Sequence, residues 1–290
     1  MDELRFLIET YLDYQKDRVR LQNRLRSLPA EVRGQSFLGE LLATAFRLER
    51  RTKSRIEQLV EIDPLYSEYL KYQRGIGKLL AGYLIGWLAR ERDFKIFGIV
   101  EKIGERTYKR KYQKKIVTLE LPPYAKVLEE NLKGKPKYIR VWMPPVMKVA
   151  ENPSDLHKYC GVVPQSRKKK GEQADFNPRV KTLMWKIFRQ FVMSKSEGEW
   201  TRIYKATKKE YAARCPEPEK GSKKLKVHFT TKNIVMRKFL TNLWLVYRWQ
   251  HNLPTTEPYP AKLGHTILKP FIETEDGIKY LRPEDFYPKA

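Results

Sequence analysis

The chain has 290 residues, 41% of them hydrophobic, which is enough to bury one or two cores. It carries 59 Lys and Arg against 34 Asp and Glu, a formal charge of +25. That charge points to a polyanionic partner. No run of about 18 apolar residues exists, and Met1-Asp2-Glu3-Leu4-Arg5 is not a signal sequence, so the expectation is an intracellular protein that does not enter a membrane.

Leu4, Leu7, Tyr11, Tyr14, Leu21, Leu25 and Leu28 recur at heptad spacing, interrupted by Arg18. Pro29 and Gly34 break the pattern, and Ser36 is placed to cap a second helix bearing Leu38, Leu41, Leu42, Ala45, Leu48, Ile56 and Leu59. Residues 1–62 therefore read as an antiparallel helical hairpin or a dimerising coiled coil. An ordinary helical bundle remains the alternative. A homo-oligomer formed through these helices is the expected assembly.

Asp63-Pro64 starts a further helix leading into Arg74-Gly75-Ile76-Gly77-Lys78. This segment, 63–103, reads as helix, two-glycine corner, helix. Glycines at a helix start bare the backbone N–H groups, and with Arg74 and Lys78 alongside they suit a phosphate oxygen. The competing reading is a tight corner between packed helices, with Ala81 allowing close contact. The following stretch, Leu79 to Ala89, is apolar on most sides and reads as a buried core helix.

Residues 104–152 change character. Ile116–Leu121 and Tyr138–Met143 have the β-branched and aromatic content of strands, with Tyr124–Asn131 as a candidate helix between them. The expectation is a small α/β insertion. Its stretch Arg106 to Lys115 interleaves tyrosine with Lys109, Arg110 and Lys111, which fits nucleic acid or an ordinary solvated basic strand.

From Pro153 the chain reads as helical again. A short helix through Cys160 ends at Gly161, and a basic loop follows: Ser166, Arg167, Lys168, Lys169 and Lys170. A helix from Pro178 to Val192 mixes basic and apolar positions. The lysine-rich stretch 215–226 reads as an exposed loop, and Thr231–Gln250 as an amphipathic helix. Residues 153–253 form one helical unit continuous with 63–103, and 254–290 a proline- and aromatic-rich tail draped over it. His157 and Cys160 could supply two metal ligands, but two more are not evident; Cys160 and Cys215 are expected to be buried thiols, and no metal site is expected.

Taken in order, several segments resemble the transposases of the insertion sequence 110 family, the bridge-RNA recombinases. Leu21 to Leu28 is similar to the start of that family's coiled coil, and Tyr72 to Ala81 to its "siPGiGxxtA" hairpin. Leu156 to Pro164 resembles "laxYaGlxP", Asn177 to Leu183 resembles "GNxxLRxxL", and Met236 to Trp244 resembles the closing "aRkxxkxfLxxLW". The resemblance spans about residues 15 to 250 and omits the insertion at 104–149.

The resemblance implies a mainly α-helical fold and a DNA-binding role in transposition or recombination. The family also carries an RNase-H-like domain with four metal-holding carboxylates before the coiled coil. This chain begins about where such a domain would end, so a complete active site is not expected, and Mg²⁺ enters only if a partner supplies that domain. The family's nucleophilic serine follows "GlxP"; Ser166 is the displaced candidate here, against an exposed loop serine as the alternative. The implied DNA contacts are Arg74, Gly75, Ile76, Gly77 and Lys78 on one surface. Arg167 to Lys170 with Asn177, Arg179 and Lys181 form the other. A serine-dependent recombinase working with a structured guide RNA and a separately encoded carboxylate domain is the second reading. A nonspecific nucleic-acid scaffold is the third.

Overall fold

The computed structural model describes residues 3–33, 36–112, 115–164, 174–193, 197–214, 223–257 and 267–286. Among these the chain is mainly helical, with three small antiparallel sheets.

Helix α1 (Glu3–Ser27) and helix α3 (Phe37–Glu61) form an antiparallel hairpin joined through the single turn α2 (Ala30–Arg33). The Ser36 side chain accepts the N–H of Leu38 at 3.2 Å and starts α3. Arg55 Nε meets Glu3 Oε1 at 2.9 Å at the open end. Arg18, the interruption in the apolar seam, pairs with Glu49 midway along α3 and lies 5.0 Å over the Phe46 ring. Of the predicted seam, Leu4 and Tyr11 are buried, while Leu21, Leu25 and Leu28 are half-buried. Beyond the Arg18–Glu49 pair, Phe37, Leu41, Phe46 and Leu48 keep exposed apolar surface towards the hairpin tip.

Asp63 caps the short α4 (Pro64–Glu68), its carboxylate accepting the N–H of Leu65 at 2.9 Å. A single 3₁₀ turn, Leu70–Tyr72, then enters the two-glycine corner. The expectation of a full helix before the corner is corrected: only two short turns stand there. After it, α5 (Lys78–Leu84) runs into a π-helical turn, Ile85–Ala89. Residues 81–88 are all buried. Ala81 is fully buried, and Gly82 and Gly86 make close contacts beside it. A Cβ on Gly82 would sit 2.9 Å from Ile56 Cγ2 of α3, and one on Gly86 2.5 Å from Ile8 Cδ1 of α1. One glycine therefore admits each arm of the hairpin against the same helix.

From Arg92 to Met143 the described residues form a β module without a helix, so the sheet begins before the expected boundary at 104 and takes in the end of the segment 63–103. Strands β1 (Arg92–Phe97), β6 (Tyr138–Met143) and β5 (Lys126–Asn131) form one sheet in the order β1-β6-β5. Strands β2 (Ile99–Lys102), β3 (Thr107–Tyr112) and β4 (Lys115–Glu120) form the second, in sequence order. The expected helix at Tyr124–Asn131 is β5, paired with β6 from Lys126↔Trp142 to Asn131↔Tyr138 around a bulge. Pairing of Val127 with Val141 supplies the reason: burial between sheets overrides the helical preference of Lys126, Leu128, Glu129 and Glu130. The module has its own core of Ile96, Ile99, Tyr108, Leu121, Ala125, Ile139 and Val141.

The main core gathers the short α6 (Val146–Val149) and α7 (Pro153–Tyr159) with α8 (Pro178–Met193) and α9 (Glu199–Arg214) around α10 (Lys223–Gln250), and α8 also packs on α5. Helix α10 extends eight residues further towards the N-terminus than expected. The lysines of that stretch are good helix formers, so their charge does not mark a loop. Trp244 Nε1 donates to Ala150 O at 2.9 Å, and Arg248 Nη1 donates to the same oxygen at 2.9 Å, tying α10 to the segment after α6. Part of the tail forms a hairpin, β7 (Phe271–Thr274) and β8 (Gly277–Tyr280), whose Phe271 packs on Trp200. None of the described helices is long and apolar enough to cross a membrane.

Candidate nucleic-acid interface

The glycine corner is held from behind. Gly75 has φ +94, a left-handed conformation that favours glycine, and a Cβ there would lie 3.2 Å from the backbone carbon of Gln190. Ile76 and Gln73 are buried. Gln73 Nε2 donates to Phe271 O at 2.7 Å while its Oε1 accepts Trp200 Nε1 at 2.8 Å. Arg74 Nε lies 3.2 Å from Glu273, and Lys78 Nζ donates to Glu61 at 2.8 Å. Gly77 is exposed, but both cations flanking the corner face carboxylates. The corner therefore joins β7, α8 and α9, and α5 is only seven residues long.

The second predicted surface is assembled differently. Asn177 caps α8: its Oδ1 accepts the N–H of Arg179 at 3.0 Å, and its Nδ2 donates to the Tyr159 hydroxyl at 2.9 Å. Its amide is thus spent on structure. Arg179, Thr182, Lys186, Arg189 and Met193 then follow at three- and four-residue spacing along one exposed face of α8. The exposed Trp185 ring lies beside this row, with the Arg189 guanidinium 4.8 Å over it.

Cations from distant segments crowd the first half of α8. Trp87, carried on the π turn, is faced by Arg5 at 4.6 Å and Arg179 at 5.5 Å. Both guanidiniums also share one oxygen of Glu9, at 3.8 and 3.7 Å, beyond direct hydrogen-bond reach. Arg92 stands over Tyr159 at 5.8 Å, and its buried Nε has no acceptor. Burial, reinforced by Arg92 and Arg179, pushes the Arg5 guanidinium down to about 10 against the pull of Glu9. On the other flank, burial and the nearby Lys181 push Lys232 of α10 downwards, and burial lowers Lys181 itself. Arg5 and Arg179 share Glu9, and Arg92 adds a further like charge beside Arg5; a phosphate would relieve this repulsion.

Arg5, Arg92, Lys186, Arg189 and Lys232 carry no sequence signal as a group. Their convergence depends on how the hairpin docks. Ser166 and Arg167 to Lys170 lie outside the described residues, as does Cys215. In the β module, Lys109 pairs with Glu101, Arg110 Nε donates to Phe97 O at 3.0 Å, and Lys111 is exposed. Tyr108, expected among the outward rings of that basic stretch, is fully buried and donates to Glu130 at 2.7 Å. Strand alternation turns it inward between Thr107 and the outward Lys109.

Cys160 is a buried free thiol, pushed upwards by that burial. Among the described residues no three His, Cys, Asp or Glu side chains are grouped to hold a metal ion. The chain matches no protein-family model and no curated protein.

Proposed function

We propose that the protein is a DNA-binding protein that holds duplex DNA by its phosphate backbone, with the exposed face of α8 as the main contact. The crowding of Arg92 and Arg179 against Arg5, with Arg5 and Arg179 sharing Glu9, carries this reading. Like charges so placed cost free energy unless a polyanion meets them, and the net charge of +25 steers such a partner to the surface. Contacts of this kind position a duplex without reading its sequence. The resemblance to insertion sequence 110 transposases supports a role in transposition or recombination. Strand-transfer chemistry would rest on Ser166 and on a carboxylate domain from elsewhere, and is left outside the proposal.

The test is equilibrium binding of a fluorescent duplex. Removing three cations together (Arg179→Ala, Lys186→Ala and Arg189→Ala) should weaken binding at least about tenfold at physiological salt. Unchanged affinity would remove α8 from the interface.

A further inference from the structure

The β module leaves aromatic side chains uncovered beside α1. Phe94 and Phe97 of β1 are 36% and 49% exposed, and Phe6 of α1 is 57% exposed. All three line one cleft together with Arg5, Arg92 and Lys95. The cleft continues onto the outer face of the sheet. There the Phe97 and Tyr138 rings stand 5.7 Å apart, and Lys95 Nζ lies 4.3 Å over Tyr138. Two same-face positions further along β6, Lys126 Nζ lies 5.4 Å over the Trp142 ring.

The carboxylates nearby are already engaged. Arg140 holds Asp93 through Nε at 2.9 Å and Nη2 at 2.6 Å, Glu91 accepts Trp142 Nε1 at 3.0 Å, and Glu9 is shared by Arg5 and Arg179. Lys95 rests on a ring. Flat apolar faces alternating with cations match a chain of alternating bases and phosphates.

We infer that this cleft binds an unpaired nucleic-acid strand, with bases stacked on Phe94, Phe97 and Phe6 and phosphates held by Lys95, Arg92 and Arg5. The inference rests on the nucleic-acid reading of α8 and deepens it. Arg5 belongs to both surfaces, since it shares Trp87 and Glu9 with Arg179. A duplex lying on α8 would deliver a separated strand directly into the cleft. Stacking is blind to the sugar, so DNA and RNA strands present the same chemistry here.

Fluorescence anisotropy with labelled oligo(dT) and oligo(U) of about 12 nucleotides, an abasic strand of equal length and a duplex tests this. Phe94→Ala with Phe97→Ala should weaken both oligonucleotides about tenfold while leaving the abasic strand and the duplex unchanged. Phe97→Trp should retain binding. Phe97→Leu, which keeps apolar volume, should lose part of it if the double variant does not fold. Oligonucleotides bound no tighter than the abasic strand, or equal weakening of every probe, would overturn the inference. So would capture of an acidic, phenylalanine-containing peptide in place of either strand. If removing the α8 cations leaves duplex affinity intact while the ring effect persists, the α8 reading fails and the cleft stands.

Discussion

Arg74 Nε lies 3.2 Å from one oxygen of Glu273, and the other oxygen of that carboxylate accepts the N–H of Glu199 at 3.1 Å. A single side chain from β7 thus closes the glycine corner and caps α9. Burial pushes the Glu273 carboxyl upwards, opposed by the Glu199 N–H and by Arg74. Arg74→Ala would leave that carboxylate without its cation. We expect a stability loss of about 1–3 kcal/mol with no loss of duplex affinity. Thermal melting and a binding isotherm on the same variant separate this from a phosphate contact, which would show the reverse.

His157 of α7 gives the fold an acid-sensitive contact with α10. Its Nε2 is 3.1 Å from the Thr241 hydroxyl, and burial together with Arg237 pushes the imidazole down to about 4. The depressed value means that the folded chain binds fewer protons than the unfolded one. Stability from this group is therefore complete above about 6.5 and is lost as pH falls towards 4. The contribution is at most about 3 kcal/mol. His157→Gln should flatten that part of the stability–pH curve relative to wild type in urea unfolding.

The Arg18–Glu49 pair sits within the hairpin with side chains 20% and 12% exposed. Removing one member strands a charge, and Glu49→Ala should cost towards the lower end of about 3–5 kcal/mol. Replacing both by leucine should recover most of that loss, because desolvation of the pair offsets much of its attraction. A double-mutant cycle in denaturant unfolding gives the coupling directly.

Where the structure follows local rules, the sequence made it legible. Ser36, Asp63 and Pro178 mark helix starts through capping and fixed φ, and Tyr138–Met143 is recognisable by strand composition. Residues 126–131 were not legible, since Leu128, Glu129 and Glu130 favour helix until Val127 finds Val141 across the sheet. The corner misled for a related reason. Glycines and cations identify a phosphate site only if no carboxylate answers them, and Glu273 lies 199 positions after Arg74 in the chain. The α8 face was visible in part, through Arg179, whereas Lys181, expected beside it, lies on the other flank near Lys232. Its reinforcement by Arg5 and Arg92 depends on the docking of α1 against Gly86, which no local pattern encodes.

The salt dependence of duplex binding tests the central claim most directly. Log affinity should fall linearly with log salt, at a slope of about −0.9 per neutralised phosphate. Arg179→Ala and Lys186→Ala should each make that slope shallower by about 1, whereas Lys78→Ala should leave it as in wild type. A wild-type slope near zero, or slopes that respond to Lys78 and not to the α8 cations, would contradict the account.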